Sequence, residues 1–326
     1  MTEVSLKIDP LLLDRFRGDL DPLVGREARI GVAVSGGPDS LALLLLAAAV
    51  RPGQLEAATI DHGLRAEALD EATMVAQVCE RLGIPHSTLT ARWKEVPESA
   101  IQERARQQRY KLLGYWAEER GLGALATAHH ADDQAETLMM RLARGSGVKG
   151  LAAMRRWSIA PGSHIRLVRP LLGWRHSELE HICSEAGLVP AADPSNTDDR
   201  FERVRVRQRL AELDWLDASS LARAAANLAD ADEAIDWAAH AEWKQAVRER
   251  LGRIAYQPGE APAEIVRRIV ARIIRRLATE GDPDLRGREL DHLLNELHSG
   301  ADSTIRGVRC SGGSEWRFVA APPRRG

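Results

Sequence analysis

The sequence predicts an α/β fold, a parallel sheet with helices on both faces, followed by a smaller, mainly α-helical C-terminal domain. Three observations carry this expectation. From Ala28 to about Leu172 short β-type runs alternate with helical ones, the pattern of a parallel sheet covered on both sides. The polar clusters of this region stand directly after the β-type runs, where an open parallel sheet binds its ligands. Beyond Pro190 the alternation stops and long Ala- and Arg-rich helical patterns take over.

Each element has a local reason. Met1 to Gly18 mixes acids and bases in an amphipathic helical pattern, with neither an apolar signal-peptide core nor a membrane span. Ile30 to Val34 is β-branched and ends at Gly-Gly; Leu55 to Ile60 and Ala124 to Ala128 are short apolar runs that stop at polar clusters. Helical patterns occupy Asp39 to Val50, Ala66 to Leu82 and Ile101 to Arg120. Asp193-Pro194-Ser195-Asn196 is a turn cluster, and Val204 to about His240 reads as Ala-rich helix. In Pro262 to Leu277 the apolar positions 265, 266, 269, 270, 273, 274 and 277 form one stripe, with five arginines on the other face. Gly307 to Val319 alternates around Ser311-Gly312-Gly313, a hairpin pattern. The 326 residues are long for one domain, and the break is expected between residues 1–215 and 216–326.

Composition narrows the class. With 44% hydrophobic and 28% charged residues, the chain is an ordinary globular one. Its three cysteines, Cys79, Cys183 and Cys310, are scattered and form no C-x-x-C pair, which argues against a disulfide framework and a cysteine zinc site. The longest apolar run, Leu41 to Val50, is too short to cross a bilayer; a soluble, cytoplasmic protein is expected. A net charge of −2 does not announce a nucleic-acid partner. Arg200 to Arg209 and Arg267 to Arg276 are nevertheless local basic stripes, suited to an anionic ligand that touches part of the surface.

The most informative stretch is Val34-Ser35-Gly36-Gly37-Pro38-Asp39-Ser40, which leaves a strand and opens a helix. Two glycines let the backbone approach an anion, and the new helix points its N–H groups at it. Ser35 and Ser40 add hydroxyls. Asp39 repels phosphate unless a divalent cation lies between them, and Mg²⁺ on carboxylate and phosphate oxygens resolves the conflict. The lysine of a Walker loop is missing. The competing reading is a Gly-Gly turn followed by an Asp N-cap.

Asp61-His62-Gly63-Leu64-Arg65 follows the second strand, and Ala126-Thr127-Ala128-His129-His130-Ala131-Asp132-Asp133-Gln134-Ala135-Glu136-Thr137 follows a later one. A helix starting near Asp132 puts Asp133, Glu136 and Thr137 on one face. One of these carboxylates and Asp39 could hold the same Mg²⁺, while the histidines donate to phosphate or take up a proton. Two other readings compete: an aspartate that merely caps the helix, and a metal-dependent phosphohydrolase using His62, His129, His130, Asp133 and Glu136.

The S-G-G-x-D-S string resembles the signature of the PP-loop (N-type) ATP pyrophosphatases. This resemblance implies an adenine nucleotide α-hydrolase-like fold and cleavage of ATP between the α- and β-phosphates. Within that class, D-H-G-L-R, A-T-A-H-H-x-D-D-Q-x-E-T, R-G-S-G-x-x-G-L at Arg144 to Leu151 and D-x-S-N at Asp193 to Asn196 look like the motif series of the tRNA(Ile)-lysidine synthetase family. The likeness covers roughly residues 25 to 210. It implies ATP and Mg²⁺ as cofactors. It also implies lysine and an isoleucine tRNA with a CAU anticodon as partners, AMP and diphosphate as products, and an adenylated cytidine on the way to lysidine. By resemblance Ser35, Gly36, Gly37, Pro38, Asp39, Ser40 and His62 bind the nucleotide. Asp39 and Asp133 hold the metal, His129 and Arg109 join them as catalytic residues, and Arg203, Arg205 and Arg207 meet the tRNA. A tRNA thiolase of the same class is the nearer alternative, although those enzymes usually depend on paired cysteines.

Overall fold

The computed structural model describes residues 8–61, 67–91, 101–191, 199–278, 285 and 287–321. Its contacts divide the chain into two units, Met1–Ala229 and Asp230–Gly326. The expected break at 215/216 falls instead in the loop between two helices. The division lies farther on because the helix after that loop begins inside the first unit, where its Leu221, Ala225 and Leu228 pack with Leu138, Leu151 and Ala153.

In the first unit the order is α1 (Pro10–Leu20), β1 (Ile30–Ala33), α2 (Pro38–Val50), β2 (Leu55–Asp61), α3 (Glu67–Arg81), β3 (His86–Thr90), α4 (Ile101–Glu119) and β4 (Ala124–Ala126). Then come α5 (Ala131–Ala143), α6 (Val148–Leu151), β5 (Trp157–Ile159), β6 (Arg166–Val168), α7 (His176–Glu185), α8 (Glu202–Ala211) and α9 (Ala218–Ala246), the last running on into the second unit. The strands order as β3-β2-β1-β4-β6-β5, all parallel except the β5 edge. The chain therefore builds outward from β1 to β3 on one side and then crosses to β4 on the other. At such a reversal the loops leave two neighbouring strands in opposite directions and open a crevice. That crevice, beyond β1 and β4, is where the Gly-Gly and His-His motifs lie.

The core explains why these segments fold so. Leu41 through Leu46 of α2 are all 0% exposed, as expected of a helix apolar on every side; it packs against α1 and α7. Trp174 seals the α7 end. Phe16 meets its ring edge-on at 6.4 Å, its Nε1 donates to Asp19 at 3.0 Å, and Arg15 lies 4.1 Å over the ring. In β1, Gly31 is small for a steric reason: a Cβ there would stand 2.7 Å from the Trp116 ring of α4. Cys79, Cys183 and Cys310 are buried free thiols, each pushed up to about 12, chiefly by burial.

The second unit adds β7 (Val247–Arg250), β8 (Arg253–Tyr256), α10 (Ala263–Leu277), α11 (Gly287–His298), β9 (Asp302–Ile305), β10 (Val308–Ser311) and β11 (Trp316–Ala320). The unit is mainly helical as expected, and to its helices it adds a five-stranded antiparallel sheet of order β7-β8-β11-β10-β9. Its outer strands are polar, β7 charged and largely exposed and β9 reading Asp-Ser-Thr-Ile, as sheet edges commonly are, so no apolar alternation marks them. The hairpin expected around Ser311-Gly312-Gly313 is β10–β11, paired Ser311 to Arg317. In α10, Ile265, Val266, Ile269, Val270, Ile273 and Ile274 are buried, against Ile254, Leu293, Phe318 and their neighbours. The arginines opposite are largely answered by acids: Arg267 by Asp291, Arg268 by Asp232, Asp236 and Glu264, Arg276 by Glu249. Arg272 lies 4.4 Å over the Trp243 ring. Among the described residues, no helix is long and apolar enough to cross a membrane.

Gly312 is the tightest point of this unit, because a Cβ there would come 2.4 Å from the Leu297 carbonyl oxygen and 2.9 Å from Gly300 Cα. Both are backbone atoms that cannot rotate away. Gly312→Ala should lower stability by about 1–3 kcal/mol, read as an earlier urea midpoint; an unshifted midpoint would show that the turn relaxes freely.

Candidate active site

β1 delivers the Gly-Gly loop to the crevice. Gly36 turns at φ +88°, a conformation that L side chains rarely adopt, and its carbonyl accepts the Ala191 N–H at 3.0 Å. Ser40 locks the loop from within. Its hydroxyl donates to the Gly37 carbonyl at 2.9 Å and accepts the Ser35 N–H at 3.1 Å. Helix α2 begins with Gly37 as N-cap and Pro38 in its first turn, and no side chain caps it. The first-turn N–H groups of a helix lack intrahelical partners, so this end is open to an anion.

β4 delivers the second cluster. His130 caps α5 from the N-cap position, and the Asp133 carboxylate accepts its backbone N–H at 3.1 Å. Asp132 faces the other way, taking the His176 N–H at 2.8 Å and the Arg175 guanidinium at 3.1 Å. It thereby ties the start of α7 to the start of α5. Gln134 clasps Met154 with its amide, donating at 2.9 Å and accepting at 2.8 Å. Glu136 is 1% exposed and accepts from Arg203 Nε at 2.5 Å and Arg207 Nε at 2.6 Å; Arg203 also reaches Asp133 at 2.9 Å.

The charges are arranged around Asp39. His176 Nδ1 donates to its carboxylate at 2.7 Å, and His130 Nε2 stands 3.6 Å from Asp39 and 3.6 Å from Asp133. Burial alone would raise the Asp39 pKa, but the nearby His130 imidazolium and the His176 hydrogen bond overcome it and bring it to about 2. Burial would likewise discharge His130, yet Asp132 and Asp39 push it up to about 10, so it is cationic at neutral pH. His176 is raised too, first by its bond to Asp39. His129 behaves oppositely. Burial, with Arg169, Arg106 and Arg109 nearby, outweighs Asp133 and drops it to about 3, leaving an imidazole whose Nδ1 lies 3.1 Å from Thr127 Oγ1.

These groups line one cavity of about 1580 Å³. Ser35, Gly37, Pro38, Asp39 and Ser40 form one wall; His129, His130 and Asp133 form another; Arg109, Arg203 and Arg207 complete it. Arg106 and Arg109 both lie 5.1 Å over the Tyr110 ring and pair with no carboxylate among the described residues. The cavity suits a nucleotide in size and in the opposition of N–H groups, cations and carboxylates. Asp39 and Asp133 flank one cation, the His130 imidazolium, and both turn carboxylate oxygens, the ligand type that Mg²⁺ prefers, to the cavity.

A family model described as the PP-loop domain matches residues 12–213. The chain is 46% identical over 316 residues to a tRNA(Ile)-lysidine synthase of Novosphingobium aromaticivorans, covering 95% of this chain and 94% of that one. It is 44% identical over 307 residues to a protein of the same name from Zymomonas mobilis, with 93% and 91% covered. The chain belongs to the tRNA(Ile)-lysidine synthase family. Among solved structures, the U34-tRNA thiolase NcsA of Methanococcus maripaludis superposes with a TM-score of 0.54 at 20% identity, over 68% of this chain and 80% of that one. That likeness concerns the fold alone.

For this lysidine synthase family member, the expected site residues of the two motifs are brought together, with three qualifications. Ser40 is a lock on the loop more than a free donor. Arg203 and Arg207 line the cavity in ion pairs, whereas exposed Arg205 donates to the Asp199 and Arg200 carbonyls at the start of α8. His62 and the Asp193–Asn196 cluster lie outside the described residues. His176 is the site residue that the sequence did not reveal; a single histidine opening a helix belongs to no motif, and only the fold sets it beside Asp39.

Glu136 sets the place of two arginines, so Glu136→Gln should cost about 1.5–3 kcal/mol through lost charge-assisted hydrogen bonds. Urea unfolding measures this, and unchanged stability would mean that Arg203 and Arg207 are anchored elsewhere.

Proposed function

We propose that this protein ligates lysine to the wobble cytidine of an isoleucine tRNA with a CAU anticodon, using ATP and releasing AMP and diphosphate. The observation that carries this reading is the open N-terminus of α2 facing the Asp133 cluster across the β1/β4 crevice, in a chain 46% identical to a lysidine synthase over nearly its whole length. The ring carbonyl of cytosine is a poor electrophile, and an amine cannot expel oxide from it. In the first step the carbonyl oxygen attacks the α-phosphorus, an O–P bond forms, and the bond to diphosphate breaks. In the second the lysine amine attacks the ring carbon and AMP departs.

The residues divide this work. Gly36, Gly37 and the first turn of α2 present N–H groups to the phosphates, with Ser35 beside them. Asp39 and Asp133 are the residues that would hold Mg²⁺, which would supply positive charge against the departing diphosphate. Arg106 and Arg109 put positive charge against the nucleotide or the tRNA phosphates. The lysine ammonium must lose a proton before it attacks. His130, held cationic, can only donate, so uncharged His129 is the imidazole suited to orient the amine. The target base leaves its stack to enter the cavity. Arg205, on the exposed side of α8, is a phosphate contact that supplies register rather than sequence choice. Such a reaction belongs in the cytoplasm, where ATP and precursor tRNA are found.

The decisive assay combines protein, ATP, Mg²⁺, labelled lysine and the isoleucine tRNA transcript with a CAU anticodon. Label should enter the tRNA as AMP and diphosphate appear; phosphate release with no labelled tRNA would favour a hydrolase instead. Asp39→Asn should reduce adenylation by roughly 10²–10³-fold or more while filter binding of tRNA stays near normal. A fully active Asp39→Asn enzyme would remove Asp39 from the metal site.

A further inference from the structure

The Asp39 corner offers more than oxygen ligands. Asp39, His130 and His176 each place one donor atom within 4.8 Å of the other two. Imidazole nitrogen and carboxylate oxygen bind a first-row ion at about 2.0–2.2 Å, so two donors on one ion stand at most about 4.4 Å apart. Small side-chain adjustments bring all three into range, and as the ion enters, each imidazole releases to solvent the proton it shares with Asp39, because only a neutral ring can ligate. The two rings are already stacked, 5.4 Å between centroids and 28° between planes, and they approach opposite oxygens of one carboxylate.

The far side of each ring is supported as well. His176 turns its other nitrogen, Nε2, toward Glu180 at 3.2 Å. His130 Nδ1 is buried, completes no hydrogen bond as it stands, and has Asp132 at 3.4 Å. Asp132 is itself held by the His176 N–H and Arg175. Metal-binding histidines characteristically give their second nitrogen to a carboxylate, which fixes ring and tautomer. Here both rings have that partner. Two nitrogens and one oxygen suit zinc, cobalt or nickel far better than magnesium, which prefers oxygen. The cavity beside Asp39 leaves room for a further ligand.

We propose that Asp39, His130 and His176 form a site for a zinc-class divalent cation, and that this cation and Mg²⁺-nucleotide exclude one another because both require Asp39. The site is thus an inhibitory one, filled when nucleotide is scarce and borderline metal is abundant. The metal part stands on the three side chains and holds whatever the tRNA substrate.

Cobalt is the probe. Chelator-treated, dialysed protein is titrated with Co²⁺ and followed by visible absorption. One equivalent should bind with the intense bands of low-coordinate cobalt, and Zn²⁺ should bleach them. His176→Gln should weaken cobalt binding at least by the roughly 10–100-fold typical of even an outer partner in a metal site. His176→Cys should keep the metal and add a thiolate-to-cobalt charge-transfer band, a signature that a merely structural residue would not give. Absence of a saturable spectrum, equal affinity in His176→Gln, or a His176→Cys spectrum without the new band would each overturn the site.

Competition is read separately, as retention of labelled ATP in fixed excess Mg²⁺ with and without one equivalent of Zn²⁺. Zinc should lower retention in the parent protein and not in His176→Gln, which also controls for zinc captured by ATP in solution. Equal retention with and without zinc in the parent would overturn the exclusion. Failure of ATP to bind in any sample would count against the proposed function while leaving the cobalt result intact.

Discussion

A carboxylate stands where the end of a buried helix invites an anion, and the rest of the site answers that conflict. Asp39 belongs to the first turn of α2, whose N–H groups point at the crevice. Left alone it would repel a phosphate chain. It is instead embraced by two imidazoles, His130 and His176, whose pKa values its own charge helps to raise, and the second carboxylate, Asp133, meets the His130 ring. The region is therefore organised around a positive charge between two acids before any nucleotide arrives. Preorganised charge of this kind costs no rearrangement when the reaction needs it. α7 is drawn in by the same logic, since Asp132 holds its first residues.

Much of this was legible in the sequence, and what was not has a physical cause. The β1–α2 and β4–α5 junctions were readable because an apolar strand that ends in Gly-Gly or His-His has few structural reasons to do so. The reach of α10 was readable because its apolar stripe keeps the helical period for four turns. Harder were β5 and β6, three residues each, too brief to show a period. β3 was hidden by its mostly polar sequence, His-Ser-Thr-Leu-Thr. The roles of Ser40 and Gln134 were hidden by their company: both sit in chemical motifs, yet each one holds backbone. A motif thus mixes residues that meet the ligand with residues that keep the loop in shape.

Arginine is a second lesson. The sequence presents two stripes of it, and each invites an anionic partner. In α8, Arg203 and Arg207 turn inward to one buried glutamate, while Arg205 faces solvent. In α10, acids from its own unit answer Arg267, Arg268 and Arg276. Spacing along a helix says which arginines share a face, but the acids that neutralise them come from elsewhere in the chain. Arg106 and Arg109, which pair with no carboxylate among the described residues, were the least conspicuous as a group.

The three sequestered thiols have a practical bearing. Alkylating and oxidising reagents act on thiolate, and a group pushed up to about 12 inside the core offers almost none. A single cysteine placed on the surface would then be the only one to take a dye or spin label under native conditions, with no need to strip the native sulfur from the protein first. Distances between such a label and a marked tRNA or nucleotide become accessible on the intact chain.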